Sequence, residues 1–337
     1  MSDNKRFARQ ERLSQVGLDG QKLLQGATVA IIGVGALGCT SAEWLCRAGV
    51  AKLILIDRDV VNQSNLQRQC LFSESDVARR LPKAVAAAER LHAINSACVI
   101  ETHCVDLAAH NIDAICQGAD VLVDGCDNFF TRYLLNDFSV KNKIDYVYAG
   151  AVGTYGMVAL LQPSKACLRC VFPEPPPVDQ TPTCASAGVL GPAIGVVASL
   201  ASTLAIQSIC KADLPQQFIH IELWPFAAQS INASVNDACE CCSKNNFEWL
   251  SGQRTTASVT SNCDNTEVHF AGSGTIDLMQ LGERFKGGLD ELKYSTLCLQ
   301  FKHDDCEIFI FSDRSIHVYG CDSIERAKSI VSDTVGL

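Results

Sequence analysis

The first half of the chain alternates short apolar runs with helical patterns. Four apolar runs predict strands, at Thr28–Ile32, Lys52–Ile56, Val121–Val123 and Tyr146–Ala149. Between them, apolar residues recur at helical spacing in three stretches: from Gly38 to about Ala48, at Lys83–Ile94 and at Asn128–Lys141. Strands that alternate with helices indicate an α/β fold, with a mostly parallel sheet and helices on both faces.

After Gly150 the pattern changes. Ala151–Leu161 predicts a longer strand or a hairpin, and further strands are predicted near Phe218–Leu223 and Gln229–Val235. We expect these strands to extend the sheet in antiparallel fashion. Pro173–Pro182 holds five of the ten prolines and is predicted to be a loop.

One uncharged stretch, Val189–Ile209, is long enough to span a bilayer. It contains glycine, serine, threonine and glutamine, and no Lys/Arg asymmetry surrounds it. We therefore expect a buried core helix that begins after Pro192, and no membrane span.

The last part of the chain predicts a separate module. Residues 1–248 are expected to form the main domain, polar residues 249–266 a linker, and residues 267–337 a small α+β module of unknown role. Within the module we predict two helices, at Ile276–Phe285 and from Ser323 onward. The predicted strands are Thr296–Phe301, Cys306–Phe311 and Ser315–Tyr319.

Composition and charge narrow the function classes. The 337 residues are 47% hydrophobic, which excludes a disordered chain, and their net charge of −9 comes without a basic run. Nucleic acid and anionic membrane are therefore not expected partners. The charged first residues lack the apolar segment of a signal peptide, so we expect a cytoplasmic protein.

A glycine-rich turn follows the first predicted strand. Gly33 allows a tight turn, Gly35 lets a phosphate approach the backbone, and Gly38 lets the next helix pack closely. Asp57 ends the second strand, 19 residues beyond Gly38, and can bind ribose hydroxyls. This pattern predicts a Rossmann-like nucleotide site and leaves both NAD and ATP open.

Charged residues near the other strand ends favour ATP. Arg68 and Lys83 can neutralise the charge that builds on phosphates when a carboxylate attacks them. Asp127 can hold Mg²⁺, which prefers carboxylate oxygen. The chain has no GxxxxGK[ST] sequence, so a P-loop enzyme is not predicted.

The cysteines divide into candidate ligands and others. Eighteen cysteines in a cytosolic chain favour metal binding or catalysis over disulfides. Two CxxC pairs, Cys167/Cys170 and Cys239/Cys242, lie about 70 residues apart and predict a closed tetrahedral zinc site. Cys241, between the second pair, is not an expected ligand.

These segments together resemble the MoeB/ThiF/HesA family, relatives of the ubiquitin-activating enzymes. The resemblance covers roughly residues 6–242. The matching segments are RFARQ (6–10), GVGALG (33–38), DRD (57–59), SNLQRQ (64–69), PK (82–83), DGCDN (124–128), CLRC (167–170), TCASAGVLGP (183–192) and CECC (239–242).

The resemblance implies an ATP-dependent adenylyltransferase. Such enzymes adenylate the C-terminal glycine of a ubiquitin-like sulfur-carrier protein that ends in Gly-Gly, such as ThiS or MoaD. Asp57 would bind the ribose, and Asp127 would serve Mg²⁺ and the adenylation step. The phosphates would be contacted by Asn65, Arg68 and Lys83. Arg9 would reach the ATP site of a partner subunit, which implies a homodimer.

The remaining site residues follow from the same likeness. The expected nucleotide-binding set is Gly33, Gly35, Ala36, Gly38, Asp57, Asp59, Ser64, Asn65, Leu66, Gln67, Arg68, Lys83, Asp127, Asn128 and Arg9. The sequence departs from the family at Ala36, where a glycine is usual. Cys184 stands where some members attach the activated carrier covalently, so it joins Arg68, Lys83 and Asp127 as a candidate catalytic residue.

Two other functions remain open. An NAD-dependent oxidoreductase would use the glycine turn and Asp57 alone, and a non-catalytic carrier-binding protein would keep only the fold. The resemblance does not name the carrier or its pathway, which could be thiamine, molybdopterin or related sulfur transfer.

Overall fold

The computed structural model describes residues 5–176, 187–254, 259–261, 267–272, 274–321 and 323–334. The chain divides into two compact units. Unit 1 comprises Met1–His103 and Leu107–Thr255, and unit 2 comprises Cys104–Asp106 and Thr256–Leu337.

Unit 1 is built on an eight-stranded sheet in the order β3-β2-β1-β4-β5-β6-β7-β8. Neighbours among β1 to β5 pair in parallel, and β6, β7 and β8 each run antiparallel to the preceding strand. The strands are β1 (Thr28–Ile32), β2 (Lys52–Ile56), β3 (Val99–His103), β4 (Val121–Asp124), β5 (Asp145–Val152), β6 (Tyr155–Leu161), β7 (Gln217–Leu223) and β8 (Phe226–Asn232). The predicted fold, a mostly parallel sheet with an antiparallel extension, is confirmed.

The helices of unit 1 begin and end where the sequence provides suitable residues. Gly49 ends α2 in the left-handed region, with φ of 91°, and Asn128 caps the start of α6. The helices are α1 (Gly17–Leu24), α2 (Ala36–Ala48), α3 (Glu74–Arg79), α4 (Lys83–Ile94), α5 (Ile112–Cys116), α6 (Phe129–Asn142), α7 (Leu168–Val171) and α8 (Gly191–Ile209).

The apolar helix α8 is the one described helix that is long and apolar enough to cross a membrane. In the structure it packs against α2 and against β4, β5 and β6. Its buried residues are Ala193, Ile194, Val197, Ala198, Ala201, Ser202, Ala205 and Ile209. This is the packing expected of a core helix.

Several elements of unit 1 differ from the predicted ones. The sequence did not predict β3 or α1, and β8 begins at Phe226 although the pattern placed it at Gln229. Every residue of β8 is exposed, so no buried face imposes a period-two pattern on its sequence. Trp249 and Leu250, at the start of the predicted linker, are buried, and their amides donate to Asp137.

Unit 2 contains a six-stranded antiparallel sheet in the order β11-β12-β13-β14-β10-β9, with two helices. The elements are β9 (Val259–Ser261), β10 (Glu267–Phe270), α9 (Leu278–Phe285), β11 (Asp290–Tyr294), β12 (Cys298–His303), β13 (Cys306–Phe311), β14 (Ile316–Tyr319) and α10 (Ile324–Thr334). Apolar residues of the sheet and of both helices form its core, among them Phe301, Ile308 and Ile330. The sequence did not predict β9, β10 or β11, and β9 lies inside the predicted linker.

Candidate functional site

Two glycines, one after β1 and one after β4, approach so closely at the carboxyl ends of these strands that neither position has room for a side chain. Gly33 follows β1 with φ of +85°, and a Cβ there would lie 2.6 Å from the carbonyl oxygen of Gly125, which follows β4. A Cβ on Gly38 would lie only 1.9 Å from the carbonyl oxygen of Gly33. The strand order reverses between β1 and β4, and open α/β sheets bind ligands at such a point.

The start of α2 opens onto free space at this edge. Gly35 precedes Ala36, the first residue of α2, and no side chain caps the helix. Among the described residues, a Cβ on Gly35 would meet two atoms within 4 Å, Nε2 of Gln69 at 3.9 Å and the oxygen of Gly125 at 4.0 Å. The first N–H groups of a helix lack partners within it, so the start of α2 can bind an anion such as phosphate.

Asp57 is a buried carboxylate that holds the glycine turn to the end of β2. One of its oxygens accepts a hydrogen bond from Val34 N at 2.6 Å, and the other accepts from Asp59 N at 2.7 Å. Burial raises the pKa of Asp57 to about 6, although the nearby Lys83 charge acts in the opposite direction. Each carboxylate oxygen has a second lone pair, so the predicted ribose contact remains possible in addition to these bonds.

Lys83 is a buried ammonium group among carboxylates. It begins α4, is 7% exposed, and its Nζ lies 2.7 Å from Oδ2 of Asp59. Burial lowers the pKa of Lys83, but the negative charges of Asp59, Asp57 and Asp127 outweigh burial and hold the pKa above its usual value. The fold therefore brings these predicted residues into one electrostatic site.

The loop from Ser64 to Arg68 lies beside this site. A 3-10 helix at Gln63–Asn65 forms its first part, and the buried Asn65 accepts a hydrogen bond from Asn62 N at 2.9 Å. Ser64 and Gln67 are exposed, while Leu66 is half-buried. The half-buried Arg68 donates to the Ser64 carbonyl at 2.9 Å, so its guanidinium folds back onto its own loop.

Asp127 and Asn128 follow β4 and are both exposed. The Asn128 side chain accepts a hydrogen bond from Thr131 N at 2.9 Å, so in this structure it serves as the cap of α6. The Asp127 carboxylate is accessible, as a cation ligand at this edge has to be.

Sequence reasoning missed the buried ion pair that supports this turn. Arg132 lies 3.1 Å from the fully buried Asp124 and donates to the carbonyls of Cys126 and Ala149. Tyr146 donates to the same Asp124 oxygen at 2.9 Å. Asp124 lies inside the matched segment DGCDN, and an aspartate at the end of an otherwise apolar strand was the available signal.

Arg9 is one predicted residue that is not brought to this site within one chain. Arg9 is exposed, and the next residue, Gln10, donates a hydrogen bond to the Ala48 carbonyl at the C-terminal end of α2. The glycine turn lies at the other end of α2, before Ala36. The rise of a 13-residue helix separates these ends by about 18 Å. Cys184 lies outside the described residues.

The four predicted cysteine ligands form one cluster. Their sulfur atoms all lie within 4.8 Å of one another, and three of the pairs lie at 3.3, 3.6 and 3.9 Å. A tetrahedral zinc ion about 2.3 Å from each sulfur requires sulfur–sulfur distances of about 3.8 Å. The spacing of Cys167, Cys170, Cys239 and Cys242 therefore fits a closed four-thiolate site.

The surroundings of the cluster favour a thiolate at Cys167, whereas burial raises the pKa of Cys170 and of Cys242. The backbone N–H of Asn236 donates a hydrogen bond to the Cys170 sulfur at 3.4 Å. Hydrogen bonds, first from Cys241 and then from Cys239 and Cys242, outweigh burial and lower the pKa of Cys167 to about 5. Cys241 lies outside the four-sulfur group and accepts a hydrogen bond from Asn136.

Comparison with known proteins gives a consistent assignment. The ThiF family model matches residues 7–242. The sulfur carrier protein ThiS adenylyltransferase of Bacillus subtilis is 35% identical over 335 residues, which cover 98% of this chain and 99% of that protein. The sulfur carrier protein adenylyltransferase of Thermus thermophilus is 38% identical over 216 residues, 62% of this chain and 79% of that protein.

Solved structures share the fold. The microcin C7 biosynthetic enzyme MccB, in complex with N-formylated MccA, superposes with a TM-score of 0.64 at 24% identity, over 71% of this chain and 75% of that one. The names of the curated relatives agree with the predicted enzyme class, an adenylyltransferase. The family match and the full-length identity confirm the predicted resemblance: the chain belongs to the ThiF family.

Proposed function

We propose that this protein uses ATP to adenylate the C-terminal glycine of a ubiquitin-like sulfur-carrier protein. The observation that carries the proposal is the buried Lys83, paired with Asp59 beside an uncapped helix start at the strand-order reversal. A cation held among carboxylates next to a phosphate-binding turn suits a reaction between two anions. The names of the Bacillus and Thermus relatives support the carrier as substrate.

The reaction assigns a task to each group. A carboxylate oxygen of the carrier's last glycine attacks the α-phosphorus of ATP, and the bond from that phosphorus to the β-phosphate oxygen breaks. The products are an acyl-adenylate and pyrophosphate. Lys83 and Arg68 would stabilise the negative charge that grows on the phosphates, and Asp57 would hold the ribose.

Two metal ions belong to the proposal. The accessible Asp127 carboxylate fits Mg²⁺, which would neutralise phosphate charge. The four clustered thiols fit Zn²⁺, which would join the chain after β6 to the chain after β8 and take no part in the reaction.

A homodimer is part of the same proposal. Arg9 is exposed, and its neighbour Gln10 contacts the end of α2 opposite the glycine turn, which supports a contact of Arg9 with a second copy and not with its own site. Cys184 as a point of covalent attachment remains a prediction from the resemblance.

The decisive experiment is ATP–pyrophosphate exchange with a panel of small ubiquitin-like carriers that end in Gly-Gly. Exchange with one carrier is expected, and Asp127→Ala and Lys83→Met should reduce it at least about 100-fold, since each removes transition-state charge stabilisation. Asp19→Ala, which removes an exposed aspartate of α1, is the matched control and should keep wild-type exchange.

Other outcomes would contradict the proposal. ATP binding without exchange for any carrier would refute the substrate class. Carrier binding without nucleotide turnover would favour a non-catalytic binding protein, and a nicotinamide-dependent absorbance change would favour an oxidoreductase.

A further inference from the structure

One glutamine beside the proposed ATP site is buried without a complete set of hydrogen bonds. Gln69 directly follows Arg68 and is only 4% exposed. Its Oε1 has no hydrogen-bond partner among the residues that the structure describes. A buried amide oxygen that lacks a partner costs stability, and such a group points to a role outside folding.

The amide of Gln69 borders the open space at the start of α2. Its Nε2 lies 3.9 Å from the position that a Cβ on Gly35 would occupy. The carbonyl oxygen of Gly125 lies 4.0 Å from the same position. The Gln69 nitrogen is therefore a donor that faces the place where the N–H groups of α2 attract an anion.

The backbone holds Gln69 in this position. Its N–H donates to the Asn65 carbonyl at 3.0 Å, and its own carbonyl accepts from Phe72 N at 3.1 Å. The side chain therefore extends from a fixed turn and needs no loop movement to present its amide to a ligand at Gly35.

We propose that Gln69 is a phosphate-binding residue of the nucleotide site. Its Nε2 donates to a phosphate oxygen of a nucleoside triphosphate bound at the start of α2. Its Oε1 accepts from a water of the bound phosphates, which supplies the partner that the protein itself does not provide. The inference rests on the proposed function, because it requires that the glycine turn binds ATP.

The test measures binding directly, without a carrier. ATP, ADP and adenosine are titrated in the presence of Mg²⁺ into wild type, Gln69→Ala, Gln69→Glu and Gln63→Ala, with adenosine measured by competition. Gln63 is the matched control because it is an exposed glutamine in the same loop. The thermal midpoint of each protein is measured without nucleotide.

The expected result separates binding from folding. Gln69→Ala should weaken ATP and ADP about tenfold, as loss of a hydrogen bond to a charged group does, and leave adenosine unchanged. Gln69→Glu should weaken ATP further, because a carboxylate would face the phosphates. The cavity left by this buried side chain should lower the ligand-free midpoint of Gln69→Ala slightly without weakening adenosine binding, and Gln63→Ala should bind like wild type.

Three outcomes would overturn the inference. Equal ATP affinity in Gln69→Ala and wild type would exclude the phosphate contact, and equal losses for ATP and adenosine would move the contact to the nucleoside. A lower ligand-free midpoint with weaker binding of every ligand would show a structural role. If wild type does not bind ATP at all, the proposed function fails first, so the two failures can be told apart.

Discussion

Unit 1 contains two polar sites, and they are built in opposite ways. In the cysteine cluster, four sulfurs already lie at the mutual distances that one metal ion requires. At the strand ends, the cations already have partners inside the protein. Lys83 pairs with Asp59, and Arg68 donates a hydrogen bond to a backbone carbonyl of its own loop. The first site is preformed for one ion, whereas the cations of the second site would have to exchange internal contacts for contacts with a ligand.

The functions proposed for the two sites account for this difference. A structural metal gains from preformed ligands, because its binding free energy is also folding free energy. A site that binds and releases a nucleotide needs cations that stay hydrogen-bonded and charged when the ligand leaves. The Lys83–Asp59 pair meets this need, since its carboxylate keeps the buried ammonium protonated.

The largest effect is expected at the closed site. Cys239→Ser should remove the bound metal and destabilise unit 1 severely, because a structural zinc site contributes on the order of 10 kcal/mol in small zinc peptides. Metal content by mass spectrometry and the unfolding midpoint measure this. Cys241→Ala is the control: it also loses a buried cysteine but should retain one metal per chain. Retention of a full metal equivalent by Cys239→Ser would refute the four-thiolate site.

The next effect concerns the support beneath the open site. Arg132→Met should lower the free energy of unfolding by about 3–5 kcal/mol, because it leaves the fully buried Asp124 without its cation. Arg47→Met removes an exposed helical ion pair with Glu43 and should cost less than about 1 kcal/mol. Denaturant unfolding distinguishes the two. Equal costs would mean that the turn after β4 does not depend on this buried pair.

How well the sequence predicted each site reflects how local its determinants are. Two CxxC pairs fix sulfur positions within one turn of chain, and a glycine turn after an apolar strand fixes a helix start, so both were recognisable. Arg132 was missed because its partners come from β4, from the turn after it and from β5, and only tertiary pairing brings these together.

The fold shows the same limit. The predicted bounds of β1, β2 and α4 agree with the structure because these elements have a buried face. The position of β8 was wrong by three residues because all of its residues are exposed. In unit 2, β11 was missed for the same reason, since its sequence DELKY is polar and mostly exposed.

A pH measurement tests the charges at the open site. Burial raises the pKa of Asp57 to about 6 from an unfolded value of 3.8, so between these values the folded state binds more protons than the unfolded state. Asp57 therefore favours folding most below about pH 4, and this contribution falls as pH rises through 6. We expect the free energy of unfolding of wild type, relative to Asp57→Asn, to fall by about 2 kcal/mol from pH 4 to pH 7.

The steric cost of the asparagine does not change with pH, so the slope isolates the titration of Asp57. Denaturant unfolding at several pH values measures it. A difference that stays constant across this range would show that Asp57 titrates like an ordinary aspartate, and that the open site imposes no electrostatic cost on folding.

The smallest effect on stability is expected at Gly35, where the open site has its free space. Gly35→Ala should change the free energy of unfolding by less than about 1 kcal/mol, because the added Cβ meets no atom closer than 3.9 Å. The same Cβ occupies the space into which the start of α2 would draw a phosphate, so ATP affinity should fall about tenfold.

Gly38→Ala is the matched contrast: its Cβ would lie 1.9 Å from a backbone oxygen, so it should destabilise the protein by about 3 kcal/mol. Calorimetric titration with ATP and denaturant unfolding of both variants separate the two glycines. If Gly35→Ala binds ATP as tightly as wild type, the phosphate does not lie against this turn, and the open site must bind its ligand elsewhere along the strand ends.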